Sequence, residues 1–574
     1  MTDIPPFALD PYAAISCPVK TQNEFNPLMR ATQAVDLHAI EHFWEATPHR
    51  VNVTHFLANH HPHEVRNLGE VDPDQRIKAS MAAMSEGVPI IINAEMPVDW
   101  ANHRRGMADV LFRGEDVDGR PAYHPAMVKD HSVLSVTPKG EKGQLIASLN
   151  RPFLNQAHMS QYRYRIESQS ANLLYLAHLW HLIDSAGFGA AQAWGAVIGL
   201  DQVDKAHGCL LSWFRLSDKQ IRAFSYAASH QWRKYSPLSR YHHEHRFRVR
   251  VAIHALQQTG AESDPKLVAS PLHITECDTC QWWPQCQSSL TDDISVKIER
   301  SPLDAREIMT LRSLGVSTIT DLAKTDVDSL LPEYLPRVAH RSAAEARLRL
   351  AAHRGRLLTE GVIIERLTTG PIDLPSAPVE IDMDIETSAS NHVYLWGFLV
   401  HDRRRADNEP FYHPIYRFSS LNPAQELELA EEAATWLAGF IASLGDDQAL
   451  VWHYSSYETS SLRRFARAKG DQTSTSLAWL SSYTHDHFID LFPIVRDNFF
   501  GVDGLGLKTM AATGAGFAWR DPDPSGLNSQ YWFSNALHAP TDELRQAAKT
   551  RILEYNEDDV RATWALRQWL RSLT

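Results

Sequence analysis

The stretch VEIDMDIE, residues 379–386, decides the fold, because acidic and apolar residues alternate along it. Successive side chains of a β-strand point to opposite faces, so Asp382, Asp384 and Glu386 share one face and the apolar residues share the other. Three neighbouring carboxylates are costly to bury together unless a cation compensates them. Their hard oxygen ligands favour Mg²⁺ or Mn²⁺ over zinc.

The sequence around this strand predicts an α/β domain. HVYLWGFLV and FYHPIYRF follow as two more strands, and a helix is expected from Pro423 to about Leu444. The strand ALVWHY and a long helix from about Thr541 complete the pattern. TTGPIDLPSAP, rich in proline and glycine, is typical of a linker. We therefore predict a C-terminal domain at residues 375–574.

The last helix contains LEYNEDDVRATWALRQWL, in which Tyr555 and Asp559 are four residues apart and share a face. Its apolar residues indicate that this helix packs inward on one side, and we expect Asp559 to belong to the acidic site. The neighbouring acids are predicted to be solvated helix charges: Glu554, Glu557 and Asp558.

DIET at residues 384–387, an acid after a middle strand and Y-x-x-x-D at 555–559 resemble the DnaQ-like exonucleases. The resemblance is closer to a family of RecB-like nucleases that carry a YprB-like, RNase H-like domain, and it extends over nearly the whole chain. It implies an RNase H-like fold and phosphodiester hydrolysis with two metal ions roughly 3.5 to 4 Å apart.

The resemblance also implies roles for particular residues. Asp384 and Glu386 match the first motif, Glu458 in VWHYSSYET matches the second, and Tyr555 and Asp559 match the third. The acids would hold Mg²⁺ or Mn²⁺, and the tyrosine would orient the attacking water. Because the family usually has Asp where this chain has Glu458, that longer side chain must reach the metal from a retracted backbone.

Further residues near these motifs have two interpretations each. Asp490 could supplement Glu458 or could bond to the backbone at a strand end, and His453 could orient a phosphate or be structural. The segment GLGLKTMAATGAGFAWRDPDPSG is either a strand-binding loop or an ordinary surface loop. In the first case Lys508 and Arg520 would contact nucleic acid, and Trp519 would stack on an unpaired base.

CDTCQWWPQC supplies Cys277, Cys280 and Cys286, three thiolates close enough to bind one metal centre but one ligand short of a tetrahedral set. Cys17 resembles the lone early cysteine of the RecB- and AddB-type iron–sulfur nucleases. That resemblance implies one [4Fe–4S] cluster with a structural role, clasping both ends of the domain. Zn²⁺ is the alternative, with Cys17 or His273 as the fourth ligand.

Between these cysteines the chain resembles the restriction-endonuclease-like fold of RecB-type nucleases. GMADVLF offers Asp109 and YHPAMVKDH offers Lys129, but Met127 stands where an acid is expected, and Tyr175 and Leu179 replace a Q-x-x-x-Y motif. A thioether cannot replace a carboxylate for a hard cation. We therefore expect this domain to bind nucleic acid without cutting it efficiently. A shifted strand register would instead bring in Asp130, Glu115 or Asp116.

The net charge of −13 gives no general attraction to a polyanion, so any nucleic-acid surface must be local. Two basic stretches qualify, 230–250 and 340–356. The first interleaves aromatic residues with cations that include Arg246, Arg248 and Arg250. The alternative interpretation of both stretches is a solvated basic helix face.

We predict a domain at residues 1–290 and a helical connector at 291–360, which resembles a helix–hairpin–helix around Gly315 or is a bare linker. The sequence shows neither a leader pattern nor an apolar run that could span a membrane, which favours a cytoplasmic protein.

These features favour a metal-dependent nuclease acting on DNA, by analogy a 3′–5′ exonuclease in repair or defence, with a helicase as a possible partner. One alternative is a nucleic-acid-binding scaffold with degenerate nuclease sites. The other is an endonuclease that acts through residues 1–290.

Overall fold

The computed structural model describes residues 4–29, 48–136, 143–166, 169–202, 208–225, 232–297, 303–389, 391–406, 409–445, 449–468, 476–524 and 526–574. The chain divides by its contacts into two units, Met1–Asp321 with Thr325–Arg349 and Leu322–Lys324 with Leu350–Thr574. Most of the segment predicted to be a separate connector therefore groups with the first unit. In the described residues no helix has the length and apolar character needed to cross a membrane.

The first unit is built on a mixed sheet. Its strands are β1 (Val65–Asn67), β2 (Ile90–Glu95), β3 (Met107–Arg113), β4 (Tyr123–Val128), β5 (Leu134–Val136), β6 (Gly143–Ser148), β7 (His158–Ile166), β8 (Trp194–Gln202) and β9 (Cys209–Arg215). They lie in the order β1-β2-β3-β4-β8-β9-β6-β7-β5, and a separate hairpin pairs β10 (Ile221–Phe224) with β11 (Trp232–Tyr235).

Several helices that precede the second unit pack on this sheet, and others lie in the segment predicted as a connector, where two of them cross the boundary between the units. They are α1 (Pro18–Phe25), α2 (Pro48–His60), α3 (Pro73–Ser85), α4 (Gln169–Ser185), α5 (Pro237–Leu256), α6 (Trp283–Ser288), α7 (Ile294–Lys297), α8 (Ala305–Ser313), α9 (Ile319–Lys324), α10 (Val327–Arg337) and α11 (Ala344–Glu360). Apolar residues fill both faces of the sheet, with α4 supplying much of one core.

Gly315 joins α8 to α9 with a φ of +87°, a left-handed conformation that glycine adopts without strain. This geometry agrees with two helices joined at Gly315, as the predicted helix–hairpin–helix requires. However, the backbone N–H groups of Ser317 and Thr318, which would hold a phosphate, already donate to the Asp321 carboxylate at 3.2 and 3.0 Å. The turn is therefore capped internally, and the phosphate-binding interpretation is wrong for these amides.

The second unit contains the predicted α/β pattern. Its strands are β12 (Ile364–Arg366), β13 (Val379–Thr387), β14 (Val393–Asp402), β15 (Phe411–Tyr416), β16 (Ala449–His453), β17 (Phe488–Asp490) and β18 (Phe499–Gly501). Its helices are α12 (Pro423–Leu444), α13 (Tyr457–Ala468), α14 (Ser476–His487), α15 (Leu491–Asn498), α16 (Leu507–Thr513), α17 (Gly526–His538) and α18 (Asp542–Ser572).

Five of these strands form one sheet in the order β15-β14-β13-β16-β17, and β12 pairs separately with β18. β14 is antiparallel to β13 and β15, whereas β13, β16 and β17 run parallel. The central position of β13 places its acidic face in the middle of the domain.

The alternation in β13 positions its two faces as predicted. Ile381 and Met383 lie in the core that α12, α13 and α14 cover, with Leu429 and Leu437 of α12 packed in the same cluster. The acidic face instead packs against α18, which contacts β13, β14 and β16. The site therefore lies between a rigid central strand and the longest described helix.

Candidate metal centre in the second unit

Three carboxylates meet where β13 faces α18. Asp384 and Glu386 come from the strand and Asp559 from the helix, and each offers an oxygen within 4.8 Å of the others. Two residues along a strand return to the same face, which explains the first pair. The helix supplies the third acid because α18 crosses that face. Among the described residues this is the one grouping of three potential metal ligands at such spacing.

Each carboxylate of this triad has an oxygen held by a neighbouring donor, which fixes the side-chain rotamers. The donors are the Asn556 amide for Asp384 (2.8 Å), the Ser529 hydroxyl for Glu386 (2.6 Å) and the Trp519 indole N–H for Asp559 (2.7 Å). Such outer partners orient metal ligands in proteins.

Burial and mutual repulsion make the ionised triad unfavourable without a cation. Burial is the main cause that raises the pKa of Asp384 well above its usual range, followed by the charges of Glu386 and Asp559. Burial likewise raises the pKa of Glu386 to about 8 and raises the pKa of Asp559. A divalent cation at this site would favour the ionised carboxylates and oppose these shifts.

Lys508 lies against Tyr555 at the edge of the triad. Its ammonium donates to the Tyr555 hydroxyl at 2.9 Å and lies 3.9 Å from Asp559 Oδ1. Burial, followed by the charge of Asp559, raises the pKa of Tyr555, so this hydroxyl stays protonated. Lys508 therefore reaches the acidic site itself, and Trp519 is partly buried against an apolar cluster, with its indole N–H bonded to Asp559.

Glu458 lies beside the triad but outside its 4.8 Å grouping. Its Oε2 is 3.5 Å from His453 Nδ1 and has no hydrogen-bond partner among the residues that the structure describes, although Glu458 is only 4% exposed. Burial raises the pKa of this carboxyl, and its charge in turn contributes to the raised pKa of Asp384. His453 is buried and contacts the Ser455 carbonyl oxygen at 2.5 Å, which favours its structural interpretation.

Asp490 bonds to the backbone. One of its oxygens, Oδ1, accepts from the N–H groups of Ser455 and Phe492, both at 2.9 Å, and the residue caps α15. The strand ends at Asp490, so its carboxylate serves the helix that follows. Of the two interpretations of Asp490, the structure favours the strand-end carboxylate.

The prediction that Asp382 requires the same compensating cation is wrong. Asp382 accepts from Arg567 of α18 at 2.6 Å, and the same fully buried guanidinium contacts Glu380. Arg571 also pairs with Glu380 at 2.6 Å. Arginine neutralises this half of the acidic face. Arg567 was not predicted to have this role, although it lies eight residues, about two helical turns, after Asp559.

Arg520 is also engaged within the protein. It donates to Asp558 at 2.8 Å and to Glu557 at 3.0 Å, and its N–H groups also contact the Glu554 carbonyl oxygen. Its assignment to nucleic-acid binding is therefore not supported by its contacts. Asp558 is buried, so the prediction of a solvated charge is wrong there, whereas Glu554 is exposed as expected.

In the first unit, Asp109 lies within β3 and its carboxylate is occupied by protein donors. Arg50 donates to Oδ1 and the Val128 N–H to Oδ2, both at 2.8 Å. Burial raises the pKa of Asp109 and lowers the pKa of Lys129, whose charge acts on Asp109. Met127 is buried in the apolar core.

The residues expected in place of the Q-x-x-x-Y motif lie in that same core. Tyr175 and Leu179 of α4 pack in the cluster that contains Met127. The alternative acid Asp116 pairs with Arg113 on the surface. In the described part of this unit, Asp109 is not grouped with two further metal-ligand side chains within 4.8 Å.

The basic stretch on α5 is only partly available to a ligand. Arg246 and Arg250 are exposed. Arg248 is buried, where it donates to the Ser16 carbonyl oxygen at 2.6 Å and pairs with Glu244. Its assignment to nucleic-acid binding is therefore wrong, because the guanidinium fills an internal position.

Four cysteines line one small cavity of the first unit: Cys17, Cys277, Cys280 and Cys286. Cys17 precedes α1, whereas the other three lie in the turn-rich segment ending in α6. Burial raises the pKa of the Cys286 thiol to about 11, and the other three cysteines add to the shift. His273, the other proposed zinc ligand, is not among the residues that line this cavity.

Residues 382–571 match the model of the RNase_H superfamily. The match begins in β13 and ends in α18, so it includes all three acids of the triad. This third of the chain is an RNase H-like domain, a nuclease-type fold. A comparison with curated proteins gives no match.

Proposed function

We propose that the protein is a divalent-cation-dependent nuclease whose phosphodiester-hydrolysing centre is the triad of Asp384, Glu386 and Asp559. The observation that supports this proposal is the convergence of three carboxylates within 4.8 Å in an RNase H-like domain, two of them buried and that of Asp384 partly buried. Placing three like charges there is unfavourable unless a cation binds.

The residues present fit Mg²⁺ or Mn²⁺. All three triad members offer oxygen ligands, which hard divalent cations prefer. Glu458 adds a buried carboxylate oxygen without a hydrogen-bond partner in the described structure, and a cation would satisfy it. A bound ion would lower the pKa of water and stabilise the leaving oxygen, with Glu458 as the residue available to a second ion.

Tyr555 and Lys508 would complete the chemistry from the protein's side. The protonated Tyr555 hydroxyl can bond to the attacking water and fix its approach to phosphorus. Lys508 donates to that hydroxyl oxygen, and the hydroxyl in turn donates its proton to the Asp559 carboxylate, so the two contacts hold Tyr555 at the edge of the triad. Lys508 is also partly exposed, which lets it contact the developing negative charge on the phosphate.

We propose DNA as the substrate and 3′–5′ exonucleolytic cleavage as the polarity, in repair or defence, with a helicase as a possible partner. The resemblance of the DIET and Y-x-x-x-D motifs to DnaQ-like exonucleases supports the exonucleolytic activity and its polarity. The exposed Arg246 and Arg250 are candidates for contacts with the phosphate backbone.

Cleavage of end-labelled single-stranded DNA with Mg²⁺ tests the proposal. Asp384→Asn should reduce the rate by at least about 10³-fold, because a metal ligand is lost. Asp558→Asn is the matched control, since Asp558 is buried on the same helix but pairs with Arg520. Equal rates for the two variants, with both proteins folded, would reject the centre. Label release from one end only would establish the polarity.

For the first unit we propose binding of nucleic acid without efficient cutting. Arg50 occupies the Asp109 carboxylate, and Met127 offers no oxygen ligand. An Asp384→Ala, Asp559→Ala double variant should bind DNA but not cut it. Robust residual Mg²⁺-dependent cutting would assign the endonuclease activity to this unit. Binding by a wild-type protein that does not cut would favour the scaffold.

We further propose a [4Fe–4S] cluster on the four cysteines. A tetrahedral zinc site with Zn–S bonds of about 2.3 Å would bring its sulfur atoms within about 3.8 Å of each other. In the described residues no three cysteine or histidine ligand atoms lie mutually within 4.8 Å, which fits a larger centre better. Iron and acid-labile sulfide near four atoms each per chain are expected, and stoichiometric zinc without iron would contradict the cluster.

A further inference from the structure

A carboxamide lies between the acidic strand and its neighbours. Asn556 of α18 is fully buried, and its Nδ2 donates to Asp384 Oδ2 at 2.8 Å. On its other side, the Tyr412 hydroxyl of β15 donates to Asn556 Oδ1, also at 2.8 Å. One side chain from the helix therefore links the central strand to the edge strand.

Asp384 and the Tyr412 hydroxyl together satisfy both ends of this amide. A carboxamide has a donor end and an acceptor end, and a buried one adopts the orientation that satisfies both. Because an ionised Asp384 carboxylate only accepts, the N–H₂ group faces it, and Oδ1 is left to accept from the Tyr412 hydroxyl. This hydrogen bond to Oδ2 fixes the rotamer of Asp384, and the rotamer in turn fixes the direction of Oδ1.

The sheet leaves room for this amide at one position. Gly397 of β14 is the cross-strand partner of Asp384, so its missing side chain would have stood on the same face. A Cβ at Gly397 would overlap Asn556 Oδ1 and would come within 3.2 Å of the Tyr412 ring. Its φ is not in the left-handed region, so close approach rather than backbone conformation requires glycine here.

We propose that Asn556 is a positioning residue for the metal centre. Tyr412 bonds to its amide oxygen and Gly397 leaves the space for it, so that its N–H₂ group holds Asp384 in the rotamer that binds a divalent cation. The inference rests on the proposed function, because it takes the triad as a metal site. It assigns a role to three residues that do not belong to the acidic motifs. A neutral donor is required, since an aspartate at 556 would face Asp384 with a like charge.

Mn²⁺ binding to the full-length chain, followed by electron paramagnetic resonance of the free ion, tests the inference without measuring cleavage. Asn556→Leu, which keeps the bulk and removes the donor, should weaken binding about 10- to 100-fold, as for other outer partners of metal ligands. Tyr412→Phe should weaken it by an intermediate factor. Tyr483→Phe is the matched control, because that buried hydroxyl of the same unit bonds to the Ala449 carbonyl oxygen.

A double-mutant cycle tests the role of Gly397. Gly397→Ala should weaken Mn²⁺ binding in the wild type but much less in an Asn556→Ser background, where the overlap is gone. The positioning role is overturned if Tyr412→Phe binds Mn²⁺ as tightly as the wild type does. The proposed function still stands in that case, provided that the wild type and Tyr483→Phe bind Mn²⁺ and Asp384→Asn does not. If the wild type does not bind Mn²⁺, the proposed function fails, and the inference fails with it.

Discussion

Replacing Arg567 by methionine should destabilise the second unit strongly. Arg567 is fully buried and is the partner of Asp382, which is itself fully buried. Removing one partner of a buried ion pair costs about 3 to 5 kcal/mol, because a charge is left uncompensated. Glu380 keeps Arg571 and Arg403, so the loss falls mainly on Asp382 and the lower figure of about 3 kcal/mol applies. For a domain of this size that is a fall of about 6 to 12 °C in Tm.

Urea unfolding followed by tryptophan fluorescence measures this change, since Arg567 lies over the ring of buried Trp452 at 5.0 Å. Arg545→Met is the control, because Arg545 lies on the same helix in a surface pair with Asp542. A surface pair contributes about 0 to 1 kcal/mol. Adding Asp382→Asn to Arg567→Met should recover much of the loss. A destabilisation no larger than that of Arg545→Met would refute the conclusion that Arg567 neutralises Asp382.

Three further results are expected. With a chelator present, the free energy of unfolding should fall as pH rises from about 4.5 to about 8. Burial raises the folded-state pKa of Glu386 to about 8, so the folded state binds that proton more tightly than the unfolded state does. Urea titrations of Glu386→Gln should show a flatter decline. Lys508→Met should lower kcat about 10- to 100-fold with KM less affected, since it loses the donor to Tyr555; single-turnover kinetics would show whether only KM changes. Arg520→Ala should leave the salt dependence of DNA binding unchanged and cost about 1 to 3 kcal/mol of stability, because Asp558 loses its partner; a shallower salt slope would restore a phosphate contact.

Periodicity predicted the central strand and the helices around it. The alternation of VEIDMDIE and the length of the two principal helices, Pro423–Leu444 and Asp542–Ser572, are local properties of the chain, so the sequence expresses them directly. Fold and acidic triad followed from them together with the motif resemblance. The helix Leu491–Asn498 after Asp490 could not be predicted in this way, because it begins within an apolar run that also fits a strand.

Pairing between distant side chains could not be predicted in the same way. Arg567 and Asn556 lie 185 and 172 residues from the acids they contact, and a sequence window cannot show which of two nearby carboxylates an arginine will reach. The same limit explains Arg248 and Arg520. From the sequence alone, an arginine in a charged stretch that binds a ligand cannot be distinguished from one that pairs with an acceptor inside the protein.

The position of the first helix has a consequence for synthesis of the protein. α1 packs against α5, and Cys17 shares a cavity with residues near 280. Its partner helix ends at Leu256, so more than 200 residues separate the two. At about 5 to 20 residues per second, the ribosome needs tens of seconds to supply that partner. Until then the face of α1 that is buried in the folded protein, formed by Val19, Thr21, Gln22 and Asn23, lacks its partner on the nascent chain.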